Sequence, residues 1–447
     1  MKKSSKSERD LRIVNPDAAG IDIGSVRHYV AIPEGRGGRT IENFGCVTAE
    51  LERMANWLIG CGVSTVALES TGVYWIPVCE VLEDRGLEVV LVDPRQVKNV
   101  KGRKTDVEDA AWIQKLHSFG LLSGAFRPKA EMQVVRDYWR LRTHLVKDAA
   151  RQIHLMQKSL EQMNVQVHKV LTDISGISGL RILRAIVSGE RDPKVLARLT
   201  TSGVQASTQK VEEALQGHYR EQHVFALGLA LKTYDFLQER IRESDVLIEQ
   251  VMKSLPGELE KGDPGPKMER RRKNHPHFNL ALELARTTGV DLTRIPALSA
   301  MTVQAVISEC GVKPADSFLT EHHFASWMCL SPNNKKTGGR VFSTRTRFRP
   351  SNAATALRVA ALSLERSKTA LGDRYRRLKA RLGAPKAVTA MAHLLARLIY
   401  RGLTRGQDYL DFGLKNLESQ NTVDKLQALR RRAAHLGFEL TPLPKTA

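Results

Sequence analysis

The stretch Ala18–Ile32, AAGIDIGSVRHYVAI, decides the fold class. Apolar residues surround Asp22, Gly24 marks a turn or a close approach, and Tyr29–Ile32 resumes a strand-like run. The segment reads as a β-hairpin whose first strand carries Asp22 inward. A buried Asp is costly unless it is paired or binds a metal. Outward from this hairpin, Glu50–Leu58 has helical spacing through Leu51, Met54, Ala55 and Leu58. Val63–Leu68 is a short apolar strand that delivers Glu69 just before the turn-like Ser70-Thr71-Gly72. Tyr74–Arg85 reads as a helix, and Leu87–Asp93 as a buried strand ending at Pro94. The order β-β-α-β-α-β-α predicts an α/β domain with a mixed sheet, and it puts Asp22 and Glu69 at strand ends, where such sheets hold their chemistry.

Lys98–Trp112, KNVKGRKTDVEDAAW, adds two more acids. Thr105 is a candidate N-cap with Glu108 three residues on, and Val107–Leu116 continues without a breaker. Asp106 and Asp109 then stand one helical turn apart on one face. Two carboxylates aimed together repel unless a cation sits between them, and Mg²⁺ takes this kind of oxygen ligand. The plain alternative is a solvated helix N-terminus with acids favoured by the dipole.

Size and charge narrow the partners. With 447 residues the chain is too long for one ordinary core. It carries 69 Lys+Arg against 48 Asp+Glu, a net +21 that calls for a polyanionic partner. No apolar run reaches membrane-spanning length, and the basic start MKKSSKSERD lacks the apolar core of a secretory signal. The five cysteines show no CxxC spacing, so neither a disulfide framework nor a zinc site is expected. These averages point to a cytoplasmic protein that binds nucleic acid, nucleoid-associated when active.

Taken in order, GIDIGS, ALESTGVYW and KTDVEDA resemble the three acidic motifs of a RuvC-like (RNase H-like) domain. More narrowly, they resemble the DEDD transposases of insertion-sequence family 110, 1111-like subgroup, which are guided by bridge RNA. The resemblance implies that Asp22, Glu69, Asp106 and Asp109 bind Mg²⁺ as a two-metal phosphodiester site. It also implies a hydroxyl nucleophile far along the chain. GIDIGS alone is also similar to the first phosphate loop of actin-like sugar kinases, but the further Gly-rich loops of that class are missing downstream.

The middle of the chain is helical and charged. Leu145, Ala149, Ile153, Met156, Leu160 and Met163 form one apolar seam, and Leu237, Ile241, Ser244, Ile248, Val251 and Leu255 a second. The resemblance implies a coiled-coil linker that pairs protomers; an ordinary bundle core fits the spacing equally. Gly257–His277 reads as an exposed loop, whose Arg270-Arg271-Arg272-Lys273 either follows a phosphate backbone or is a solvated charge run.

Further on, Leu292–Gly311 reads as a turn and an amphipathic helix. It resembles the helix-hairpin-helix-like opening of the family's C-terminal transposase domain, with Ala297, Ser299 and Ala300 where glycines are usual. Phe324–Arg340, FASWMCLSPNNKKTGGR, is similar to the block that holds the nucleophile. The resemblance assigns that role to Thr337, where Ser is usual, with Ser343 as the fallback; the plain reading of Thr337-Gly338-Gly339 is a flexible turn beside DNA. Lys335, Lys336, Arg340, Arg345, Arg347 and Arg349 would hold DNA backbone. Lys101, Arg103 and Lys104 ahead of the acids, and Arg358 on the helix Ser351–Leu364, are expected to do the same.

The expected fold is therefore an α/β RuvC-like domain (15–130), a helical coiled-coil linker (131–280), a mainly α transposase domain (281–410) and a helical basic tail (411–447). The expected activity is cleavage, exchange and rejoining of donor and target DNA, with a guide RNA and a homo-oligomer, dimer or tetramer, implied by the resemblance. Two rivals stand beside it. One is a Mg²⁺-dependent, junction-resolvase-like nuclease that uses water, and the other is a nucleic-acid-binding protein without catalysis.

Overall fold

In the computed structural model, which describes residues 12–70, 72–97, 106–259, 265–266, 273–347 and 351–441, the apolar strand Ala18–Ile23 (β1) is the middle strand of a five-stranded sheet. The sheet order is β3-β2-β1-β4-β5, with β2 at Arg27–Ala31, β3 at Ile41–Gly45, β4 at Thr65–Glu69 and β5 at Glu88–Val92. β1, β2 and β3 pair antiparallel, whereas β1–β4 and β4–β5 are parallel. Parallel neighbours need crossovers, and these are α1 (Thr48–Gly60) and α2 (Trp75–Asp84). Ala19, Ile21, Val66 and Leu68 face Leu51, Met54, Leu58, Val78 and Leu82 in one core. The strand β3 is additional to the elements expected from sequence. Its IENFG run buries only Phe44 fully, so it carries almost no apolar signal; pairing with β2 makes it a strand.

The other face of the sheet is covered by α3 (Pro94–Val97) and α4 (Asp106–Ser118), with Ala67, Val92, Val97 and Ile113 packed together. Gly20 explains how closely α4 approaches. A Cβ at that position would stand 2.2 Å from the Gln114 backbone N and 2.6 Å from the Ala110 carbonyl. Only a residue without a side chain lets the helix backbone lie on the strand. The C-terminal half of α4 is then tied down: the Gln114 side chain donates to the Ala18 carbonyl at 3.2 Å, and Asn15 donates to the His117 carbonyl at 2.8 Å. The His117 ring meets the Thr65 hydroxyl at 3.0 Å, and burial holds its imidazole below the usual pKa. The expected N-cap Thr105 lies outside the described residues.

The chain divides into two compact units, Met1–Arg127 and Pro128–Ala447. In the second, α5 (Ala130–Gln162) is followed by the short helices α6 (Val167–Val170), α7 (Ile177–Val187), α8 (Pro193–Ala197) and α9 (Thr208–Ala214), and then by α10 (Glu221–Ser254). The two long helices run antiparallel: His218 N donates to the Met163 carbonyl at one end of the pair, and Arg142 meets Asp245 further along. The seam of α5 packs against Leu227, Leu231, Tyr234, Leu237 and Ile241 of α10, while Leu183, Ile186, Leu196 and Val211 close the tip. Each seam thus has a partner helix in the same chain, the arrangement of the bundle-core alternative. The α10 face also differs in detail, since it includes Asp245, whereas Val251 and Leu255 are only partly buried. Arg142 (2 % exposed) and Asp245 (1 % exposed) form an ion pair inside it. Asn274 O accepts from Arg142 at 2.9 Å and His277 N donates to Asp245 at 3.2 Å, so the pair also anchors the segment after α10. Arg270, Arg271 and Arg272 fall outside the described residues, and Lys273 pairs with Asp173 at 2.9 Å.

The rest of this unit comprises α11 (Leu280–Thr288), α12 (Ala300–Cys310), α13 (Glu321–Trp327), a ribbon of β6 (Lys335–Thr337) and β7 (Arg340–Ser343), α14 (Asn352–Ser363), α15 (Ala370–Leu382) and α16 (Ala384–His435). Val303, Ile307, Phe324, Leu357, Tyr375, Leu395 and Ile399 are buried in it. The helix α16 is interrupted at Gly406, whose φ of 82° is left-handed. Ahead of α12, Ala297 itself adopts φ 79°, a glycine conformation held by an alanine. Ser299 caps α12 by accepting from Thr302 N at 3.3 Å.

Candidate active site

The four predicted acids reach one region of the first unit through register and helix placement. Ile21 pairs with Leu68, which sets the next residues, Asp22 and Glu69, side by side at the C-terminal ends of adjacent parallel strands. Alternation puts Asp22 on the same face as Gly20, and Glu69 on the same face as Ala67. That is the face covered by α4, whose first turn carries Asp106 and Asp109. The electrostatics of Asp22 report the convergence. Its carboxyl is pushed up from 3.8 to about 6, first by burial and then by the charges of Asp106, Asp109 and Glu69, against a hydrogen bond from the Ile23 backbone. A carboxylate surrounded in this way is stabilised by a cation.

The donor set suits a hard divalent ion, since it consists of carboxylate oxygens alone. Among the described residues, however, no three Asp, Glu, His or Cys side chains close on a common point as ligands of one ion. The two observations differ in range. Carboxylates act on one another over many ångströms, whereas a Mg²⁺ ligand must come to about 2 Å. The acids face one space without yet gripping a single point in it. The sequence reading missed Tyr29, which is the cross-strand neighbour of Asp22 and faces the same side of the sheet. Beside it, Arg27 donates to Asn43 Oδ1 at 2.9 Å. The hairpin register is the signal that finds these residues, and composition alone does not contain it.

The candidate nucleophile lies in the second unit, on the ribbon. Thr337 pairs with Arg340 across a two-residue loop in which Gly338 (φ 55°) and Gly339 (φ 78°) are both left-handed. This is the turn that matches strand twist, so Thr337-Gly338-Gly339 is part of a tight hairpin turn. An Asn333–Arg345 backbone hydrogen bond of 3.1 Å and a bridge between Pro332 and Thr346 close the base of the ribbon. Thr337 is exposed, and among the described residues its hydroxyl has no protein partner. Ser343 is partly buried, with Arg345 N donating to its Oγ at 3.5 Å. Lys335, Lys336, Arg340, Arg345 and Arg347 are all exposed around them, and Arg358 is partly buried on α14. Lys101, Arg103, Lys104 and Arg349 lie outside the described residues.

A mixed sheet with three antiparallel and two added parallel strands, carboxylates at the ends of β1 and β4, and a further pair on the helix that covers them, is the arrangement of a RuvC-like domain. Comparison with known families narrows this class. Residues 19–165 match the model of a transposase family, the DEDD transposases of IS110, and residues 291–376 match that of the transposase IS116/IS110/IS902 family. The chain belongs to the IS110 family of DEDD transposases. It is a DNA transposase, with the sheet domain first and the mostly helical transposase part after it. No curated protein matches it.

Proposed function

We propose that this transposase cuts, exchanges and rejoins DNA strands with Mg²⁺ held by Asp22, Glu69, Asp106 and Asp109, and with Thr337 as the nucleophile. The observation that carries the reading is the convergence of three carboxylates on Asp22. When bound, Mg²⁺ supplies stabilisation of the attacking and leaving oxygens of the phosphodiester. Thr337 Oγ1 attacks phosphorus, its proton passes to solvent, and the bond from phosphorus to the departing deoxyribose oxygen breaks with protonation of that oxygen. A deoxyribose hydroxyl of the second strand then attacks the phosphothreonine and frees Thr337. Each step replaces one phosphoester by another, so rejoining needs no nucleotide triphosphate. Lys335, Lys336, Arg340, Arg345, Arg347 and Arg358, with Lys101, Arg103 and Lys104, hold neighbouring phosphates.

Thr337 is exposed and its hydroxyl has no partner among the described residues, whereas Ser343 is partly buried and its Oγ accepts from Arg345 N; this favours Thr337 over Ser343. Its methyl group restricts χ1, which fixes the direction of attack at some cost in reach. Base pairing with a guide RNA selects donor and target, and the chain works as a dimer or tetramer in the cytoplasm, on the nucleoid; the net charge of +21 supports a large polyanionic load.

The test is a cleavage reaction on element-end DNA with Mg²⁺ and co-expressed element RNA, run on a denaturing gel before and after protease. The expected product is a slow, protease-sensitive DNA species that disappears in Thr337→Ala and persists in Ser343→Ala. Free-ended product with Thr337→Ala still active would leave the water-using nuclease as the reading. Full activity in Asp106→Asn would remove the acids from the chemistry altogether.

A further inference from the structure

Phe342 is an aromatic side chain in an unusual position. Lys336 pairs with Val341 and Lys335 pairs with Ser343, so the ribbon has a bulge that leaves Phe342 without an opposite residue. Bulges of this kind re-aim a side chain and recur beside active sites. The ring is 67 % exposed, and its neighbour Val341 is 46 % exposed. A short ribbon with no apolar core of its own gains nothing from an outward phenyl ring, and a Phe left in water forgoes the burial that usually places it.

The surroundings indicate what covers it. Lys335, Lys336, Arg340, Arg345 and Arg347 stand exposed on the same ribbon and its base, and no acidic residue lies between positions 321 and 365. An apolar protein partner would have to meet that charge, whereas a nucleic-acid strand meets both needs at once. Its phosphates match the cations, and its bases present flat π faces to the ring. Single-strand binders combine these two features, a basic track and an aromatic platform.

We propose that Phe342 stacks on an unpaired base of the DNA strand that lies along the ribbon. The inference rests on the chain's being a DNA transposase and is independent of whether Thr337 or water attacks. Thr337 lies five residues before Phe342 on the same hairpin, so the stacked base would belong to a nucleotide near the phosphate presented to that turn. Stacking of this kind engages the base itself, which phosphate contacts do not do.

The experiment measures binding by fluorescence anisotropy in EDTA, which prevents cleavage, with the full chain. The probes are a labelled oligothymidylate of about twenty nucleotides and an abasic strand of equal length and charge. The intact protein prefers the base-bearing strand by about tenfold, the value of one modest base–aromatic stack. Phe342→Ala loses that preference by weakening only the base-bearing complex, Phe342→Trp keeps it, and Phe342→Leu behaves as Ala. Arg340→Ala keeps the preference but flattens the dependence of log affinity on log salt by about 0.7, as loss of one phosphate contact requires. Equal affinity of the intact protein for both strands overturns the proposal. So does an unchanged preference in Phe342→Ala, equal weakening of both complexes, or retention in Phe342→Leu. Failure here leaves the cleavage test of Thr337 untouched, and failure of that test leaves this one readable.

Discussion

Replacing Gly20 by Ala tests whether β1 positions the acids through α4. The added methyl group would stand 2.2 Å from Gln114 N, 2.6 Å from the Ala110 carbonyl and 2.7 Å from Gln114 Cα. All three are backbone atoms of one helix, so no side-chain rotation relieves the overlap. Ordinary contact needs about 3.5 Å, and α4 must therefore retreat by about 1 Å or β1 must bend. Overpacking of this kind costs about 1–3 kcal/mol. Because Asp106 and Asp109 ride on the first turn of α4, the displacement also separates them from Asp22 and Glu69. A misplacement of about 1 Å typically lowers turnover by about 10²-fold. The assay pairs thermal melting with single-turnover strand cleavage of element-end DNA. Gly413→Ala is the control, since a Cβ there meets nothing within 4 Å and lies within α16. It should stabilise by about 0.5–1 kcal/mol, the helix preference for Ala over Gly. If Gly20→Ala melts and cleaves like the parent, the close packing of α4 on β1 is wrong, and with it the placement of the acid pair.

Three further outcomes follow from named contacts. Asp22, raised from 3.8 to about 6 in the folded protein, helps stability while protonated below about pH 4, and that help is lost as the pH rises through about 6. In EDTA, Asp22→Asn should therefore melt above the parent at pH 8 and lose that advantage at pH 4, while added Mg²⁺ should raise the melting temperature of the parent far more than that of the variant. A variant that melts lower than the parent at pH 8 in EDTA would argue against charge crowding at Asp22. Arg142→Ala leaves Asp245 buried without its guanidinium and should cost about 3–5 kcal/mol by urea unfolding, whereas Arg142→Met combined with Asp245→Leu should recover most of the loss. Ala297→Gly relieves a left-handed alanine and should stabilise by about 1 kcal/mol, read as a higher urea midpoint with unchanged slope.

Much of the fold was legible because its signals are local. The run AAGIDI is apolar enough to be a central strand, VALE delivers its acid at a strand end, and DVEDAAWIQKL has helical continuity. Ser351 ahead of an Ala-rich run reads as a helix start, and it does cap α14 by accepting from Ala354 N at 3.2 Å. β3 was illegible because a polar five-residue edge strand takes its identity from a partner. The seams on α5 and α10 were each visible, but spacing does not say whether the partner helix comes from the same chain or another.

The sequence by itself determined the chemistry available: which carboxylates exist, that Asp106 and Asp109 share a helix face, that two glycines follow Thr337, and that the surface is strongly basic. These are properties of composition and short-range periodicity, and they survive without knowledge of the packing. Tertiary structure alone decided which groups meet. Strand register put Asp22 beside Glu69 and across from Tyr29, and the missing side chain of Gly20 let α4 descend onto β1. It also set two long helices against each other around the Arg142–Asp245 pair, and a bulge left Phe342 in solvent. Those outcomes depend on pairing between residues distant in the chain, where a shift of one position along a strand turns a side chain to the opposite face.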